Sequence, residues 1–406
     1  MVSYRSIPRI FHLFNINTPL ELGWVPHFTS VINWSLRLGL GLLKQVSPIK
    51  KPWLAIIDHS IDIGTKKALV VLRVTVDALS KRGTAIQLKD CECIGLKIAD
   101  KVNGESISLE LEAIFDQAGK PSAIIKDCDA TLQKGVRLWT QSCETAIPVI
   151  EDIGHVMASG LKSQFEKTDD YQRFTSLTSQ GAHCLRQTEW AFLVPPKLRS
   201  KGRFQSISQL GKWADKILEV FAVKGRAKEG SFLAKLRIAF PGFMQLKRFI
   251  KNFASTTKVV SQAMEILKNK GLNPTSYEQC YLLSQGLPKQ SKVKKRLQLW
   301  LQQHIEIQKQ MTSLPLLVSS DIIESLFGNF KHIIERSPQA DMNRTTLLIP
   351  ALCGDLNERK VSQALNQARH NDLKNWEQKN ISYTMRKKRQ AFFGELESQK
   401  AGKLLP

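Results

Sequence analysis

The sequence predicts an α/β protein: a mixed sheet covered by helices, with a large all-α insertion before its last helix. Three observations carry this. Between residues 51 and 165, apolar runs and amphipathic segments follow the order strand-strand-strand-helix-strand-helix-strand-helix. From 166 to 318 the pattern is almost wholly helical, and a further amphipathic helix follows within 319–350.

Each element has a local reason. In the N-terminal segment, 1–50, Thr29 or Ser30 can cap a helix containing Val31, Ile32, Trp34, Leu36 and Leu38, with Gly39 as its stop. This resembles the end of a helix-turn-helix; a helix packed on the core fits the same pattern. Trp53–Asp58 is an apolar run bounded by Pro52 and by the polar segment after Asp58, so it reads as a buried strand. Ala68–Val76 is rich in β-branched residues and reads as a second strand hairpinned to the first, and Cys91–Ile98 as a third. The period then changes: over Glu105–Ala118, Ile107, Leu109, Leu111, Ala113, Ile114 and Ala118 fall mostly on one helical face that Gly119 closes. A short strand over 121–127, a helix over 130–141, a strand over 146–150 with Pro148 favouring an edge, and a helix from Asp152 to about Phe165 complete the series.

Composition narrows the function. Across 406 residues, 42% hydrophobic content is enough for a sizeable core, and 59 Lys and Arg against 36 Asp and Glu leave a net charge of +23. That excess calls for a polyanionic partner, nucleic acid first and an anionic membrane surface second. The longest apolar runs are far too short to span a bilayer, and the first residues lack a secretory pattern. Seven scattered cysteines with no C-x-x-C pair give neither a disulfide framework nor a zinc knuckle. The expected location is the cytoplasm, associated with the nucleoid.

Two carboxylates occupy comparable places: Asp58 ends the first strand and Asp127 the fourth. Side chains at strand ends project into the crevice at the carboxyl edge of a sheet. Two carboxylates meeting there repel unless a cation lies between them, and hard oxygen ligands suit Mg²⁺ or Mn²⁺. The plainer alternative makes Asp58 a turn residue and Asp127 a helix cap. Asp129 competes with Asp127 as the second ligand, and His59 is either a neighbour supporting the site or a packed residue.

The pairing of Ile56-Ile57-Asp58-His59-Ser60 with Ile124-Ile125-Lys126-Asp127-Cys128-Asp129 resembles the catalytic core of the DDE transposases of bacterial insertion sequences. The element order is likewise similar to the ribonuclease H-like fold of that family. The resemblance implies a third carboxylate, a glutamate on a helix after the fifth strand, often beyond a helical insertion. Ser319-Ser320-Asp321-Ile322-Ile323-Glu324 opens such a helix, with Ile323, Leu326, Phe327 and Phe330 as its apolar stripe and Lys331 one turn further on. Glu151-Asp152-Ile153-Gly154-His155 is similar to a signature of Cys or Asp, two residues, then His, which follows the second aspartate in several lineages of the family. A satisfied helix histidine is the alternative for His155.

The long gap between Asp127 and Glu324 is not loop. Helical patterns recur at 169–178, 207–223, 233–240, 244–268, 277–285 and 293–311, with one strand-like run, Trp190–Val194. Three basic runs punctuate them: 197–203 with Arg199, Lys201 and Arg203; 224–228; and 289–296 with Lys294, Lys295 and Arg296. These are solvated faces or phosphate contacts, and interleaved Phe204, Trp213 and Trp300 could stack on an unpaired base. Together with Asp152 and Lys331, they form the expected DNA-contacting set. The tail, 351–406, is charged, ends near Arg386–Arg389, and reads as helical or disordered.

The organisation expected is therefore an N-terminal segment (1–50), the first part of the core (51–165), a basic helical insertion (166–318), the glutamate helix (319–350) and the tail (351–406). The resemblance implies a transposase in which Asp58, Asp127 and Glu324 hold two Mg²⁺ or Mn²⁺ ions about 4 Å apart, with His155 assisting, so that a DNA strand is cut and its 3′ hydroxyl joined to target DNA. The partners implied are double-stranded DNA, at element ends and target, and a second copy of the chain in a dimer or larger assembly. A ribonuclease H-like nuclease or resolvase, or an inactive domesticated relative that only binds DNA, are the alternatives.

Overall fold

The computed structural model describes residues 3–19, 23–59, 66–100, 102–198, 204, 207–222, 225, 227–311, 316–334 and 342–402. It divides into two compact units: residues 1–82, 86–149 and 320–406 form the first, and 83–85 with 150–319 the second. The division at 149/150 places the helix over 153–165 in the second unit rather than with the core, because that helix packs on the insertion's own helices.

The chain opens with α1 (Ser6–Asn17) and α2 (Phe28–Lys44). Neither Thr29 nor Ser30 caps α2; His27 does, its Nδ1 accepting from the Thr29 backbone N–H. Nor does Gly39 end the helix, which runs on for five residues. Gly39 and Gly41 instead let its backbone lie against the carbonyls of Leu347 and Ala364, where any Cβ would overlap the oxygen.

The strands follow: β1 (Trp53–Asp58), β2 (Lys67–Thr75), then α3 (Val76–Arg82), β3 (Cys91–Ala99), α4 (Gly104–Ala118), β4 (Ala123–Lys126), α5 (Ala130–Ser142) and β5 (Val149–Glu151). They form one sheet in the order β3-β2-β1-β4-β5. β1–β2 and β2–β3 are antiparallel, the latter joined through α3, whereas β1 and β4 are parallel, with the α4 crossover before β4. Alternation along β1 sends Trp53, Ala55 and Ile57 to the face that α4 and α5 cover, where they meet Ile107, Leu111, Phe115, Leu132 and Trp139. Leu54, Ile56 and Asp58 take the other face.

The second unit holds α6 (Ile153–Phe165), α7 (Asp169–Leu185), α8 (Ser208–Phe221), α9 (Phe232–Ala239), α10 (Lys247–Lys270), α11 (Pro274–Gln285) and α12 (Lys292–Gln310). Its interior is aromatic: Phe165 and Phe174 lie 5.2 and 5.6 Å from Phe253, ring centre to ring centre. The strand expected over 190–194 is a turn of 3₁₀ helix at Ala191–Leu193. With no neighbouring strand among the described residues, that apolar run closes short-range hydrogen bonds, Val194 N–H to Ala191 O among them.

The chain returns to the first unit with α13 (Asp321–Ile334), α14 (Leu348–Ala351), α15 (Glu358–Gln367), α16 (His370–Asn380) and α17 (Met385–Gly402). Much of the tail is thus built into the body. Arg37 of α2 donates from Nε and Nη2 to the carbonyls of Ala368 and Leu365, each at 2.7 Å, and Ala364, Ala368 and Leu373 are buried. The charged composition concealed this because only every third or fourth residue faces inward.

Candidate active site

The register of the sheet builds the site. Ile57 pairs with Lys126 across the parallel β1–β4 ladder, so Asp58 and Asp127 are the next residues on two adjacent strands about 4.8 Å apart. Both are buried, at 3% and 7% exposure. Backbone amides satisfy part of each carboxylate: Asp58 Oδ1 accepts from His59 N–H at 2.6 Å, and Asp127 Oδ1 from Asp129 N–H at 3.0 Å.

Asp129 has a different task. It caps α5, its Oδ1 accepting from Thr131 and Leu132 N–H at 2.8 and 3.1 Å, and this lowers its pKa against the desolvation that opposes it. Asp129 is thus held by two amides and faces His59.

His59, which from sequence is either a neighbour supporting the site or a packed residue, is buried among carboxylates. Its Nδ1 lies 3.9 Å from Asp58 Oδ1 and its Nε2 3.1 Å from Asp129 Oδ1. Burial disfavours the charged ring, but Asp58, Asp129 and Asp127 outweigh it and raise the pKa above the ordinary histidine value. The ring thus lies among the same carboxylates that the sequence expects to face a cation. Arg73 shows what a purely structural buried charge looks like in the same sheet: its guanidinium donates to Glu92, Ser47 O and Ala118 O and is fully engaged.

Glu324 lies on α13 in the same unit as both aspartates. Ile323, Leu326, Phe327 and Phe330 are buried, and α13 packs against β1, absent from the α4/α5 cluster and so on the face shared by Asp58. Glu324, about 100° around the helix from Ile323, is exposed on the flank of that stripe. Among the described residues, no three His, Cys, Asp or Glu side chains converge closely enough to hold a metal ion. Lys331, on the same helix, is half-buried.

Asp152 and His155 belong to the second unit. Asp152 is buried at 1% exposure as the cap of α6: it accepts from the backbone N–H of His155 at 3.0 Å and from Ser319 Oγ at 3.4 Å. The three-residue spacing is therefore that of a helix cap, and Asp152 offers no surface to DNA; His155 is half-buried.

Of the expected base-stacking aromatics, Trp300 and Phe204 are interior and Trp213 is half-buried. Trp300 is 2% exposed, donates from Nε1 to Glu151 O and stacks on His304, which in turn accepts from Glu151 N–H. Phe204 stacks on Tyr171, and Trp213 donates to Leu193 O. Burying an indole and pairing its N–H with a carbonyl is how a core tryptophan is satisfied. Of the cations, Lys295 and Arg296 are exposed, and Lys294 is tied to Gln285 and Leu287 O. Arg199, Lys201 and Arg203 lie outside the described residues.

No protein-family model matches the chain, and no curated protein does. Among solved structures it is similar to a chain of the Drosophila P element transposase strand transfer complex, at 11% identity and a TM-score of 0.44, over 87% of this chain and 90% of that one. A likeness at that score carries no argument about function, and the chain's own residues must carry it. No helix among the described residues is long and apolar enough to cross a membrane.

Proposed function

We propose that the chain is a DNA transposase of the DDE type, cutting a strand and joining the 3′ hydroxyl to target DNA. The observation that supports this best is the pair Asp58 and Asp127, buried side by side at the ends of adjacent parallel strands, with Glu324 on a helix packed against the first of them. The oxygen-only donor set of Asp58, Asp127 and Glu324 suits Mg²⁺ or Mn²⁺. Asp58 and Asp127 would hold the ion, with Glu324 completing the set. When bound, such ions lower the pKa of water and stabilise a leaving oxygen. The chain's own part is to orient those carboxylates through the His59 and Asp129 amides. The net charge of +23 supplies affinity for duplex DNA. Assembly of two or more copies on paired DNA ends, and residence at the nucleoid, belong to the same reading.

A second reading, a relative that binds DNA without cutting it, is favoured by one observation: no three ligating side chains converge among the described residues. Cleavage and joining assays on DNA carrying the flanks of the reading frame separate the two. Asp58→Asn, Asp127→Asn and Glu324→Gln should each lower cutting by about a thousandfold or more while binding persists. Cutting without joined products would make the protein a nuclease, and cutting that survives all three changes would remove the site.

A further inference from the structure

The sheet register places a second feature at the carboxylate edge. Asp58 pairs with Val70 and Lys67 with Ala99, so the start of β2 and the end of β3 lie at the end of the sheet where Asp58 and Asp127 emerge. There the C-terminal segment is latched. Ser382 Oγ donates to Asp100 Oδ2 at 2.6 Å, and buried Lys66 reaches Ser382 Oγ at 3.2 Å, lies 3.7 Å from Asp100 Oδ1 and sits 4.2 Å over the Tyr383 ring. Ile381 is buried just before them. α17 starts immediately after this latch. Its first turn is Arg386-Lys387-Lys388-Arg389, all exposed; Lys388 lies over Tyr383 at 3.5 Å, and none of the four forms an ion pair among the described residues. Phe392 and Phe393 follow, exposed at 59% and 55%.

Four cations in the first turn oppose the helix dipole, an arrangement that an anion at that end relieves. Successive residues are about 100° apart, so the charge surrounds the helix instead of forming the single polar face of a membrane-surface helix. The latch fixes this cationic turn to the β2–β3 end, two strand spacings, about 10 Å, from β1. We propose that the start of α17 grips the phosphate backbone of the duplex whose strand lies at Asp58 and Asp127. The identity of that duplex as a substrate rests on the transposase reading; the phosphate contact does not.

The test uses the full chain in EDTA, where no strand is cut, with a short DNA duplex. Arg386→Gln, Lys387→Gln and Arg389→Gln together should lower the slope of log affinity against log salt by about 3 and weaken binding roughly a hundredfold at moderate salt. Hydroxyl-radical footprinting of this variant should show a shorter protected length. Releasing the latch with Lys66→Gln and Ser382→Ala should keep most of the slope, since the cations remain, but shorten the protected length in the same way. An unchanged slope overturns the contact. A footprint unchanged in both variants overturns its placement at the carboxylate edge. Loss of binding to phosphatidylserine vesicles by the triple variant, with the DNA slope intact, overturns it in favour of a lipid surface. If the slope falls as expected but the wild-type chain cuts no DNA in Mg²⁺, the contact stands and the transposase reading fails.

Discussion

The two compact units spend their large and polar side chains in opposite ways. In the sheet unit the interior is chiefly aliphatic, and buried carboxylates gather where β1 and β4 end. In the helical unit the interior is a run of stacked and edge-on rings, and Asp152, the acid just after β5, is consumed as a cap. A sheet fixes the register of adjacent strands to within a residue, so polar groups at its rim can be brought together from positions far apart in sequence. A helical bundle buries a stripe, and aromatic residues on that stripe become filling.

That contrast can be broken most directly at Trp300. As core, Trp300→Ala should cost about 3–5 kcal/mol in chemical unfolding of the helical unit, whereas Trp300→Phe should leave single-stranded DNA affinity unchanged. A Phe variant of normal stability that loses such affinity would return Trp300 to a ligand-stacking role. In the sheet unit the corresponding pressure point is backbone contact rather than filling. Gly41→Ala would force the helix away from the Ala364 carbonyl, with an expected loss of about 1–3 kcal/mol and faster hydrogen exchange in 358–367. Unaltered exchange there would mean that the tail is not held by α2.

The smallest effect is a titration. The hydrogen bond from Ser382, then Lys66 and Tyr383, hold the Asp100 carboxyl below the usual carboxylate range. A depressed folded-state pKa favours the latch above the ordinary carboxylate pKa and loses that contribution as pH falls through the lowered value. Exchange protection of 381–384 should therefore be constant near neutrality and decline in acid, with Asp100→Asn removing the dependence. Asp100 is largely exposed, so the change should be slight.

Most elements were legible because their periods are local. Trp53–Asp58, the second and third strands and the helix closed by Gly119 occupy their expected places within a residue or two. What escaped had distant or ambiguous causes. Trp190–Val194 has strand-like composition but no strand beside it. Gly39 reads as a stop until Leu347 is found against it. Asp152 and His155 have a spacing that a helix cap and a functional pair share. The adjacency of Asp58 and Asp127 followed from their strand-end positions, whereas the exposure of Glu324 on the flank of α13 depends on packing that no local pattern encodes.

The discontinuity of the sheet unit has a consequence for biosynthesis. Its pieces are separated by the whole of 150–319, and α2 finds its partners only when residues near 347 and 364 have left the ribosome. The helical unit, nearly continuous in the chain, can form first, while α2 waits with its glycine-lined face uncovered. A pause or truncation before residue 370 would strand the nascent chain with a finished bundle and an unsealed sheet, the form on which chaperones would be expected to act.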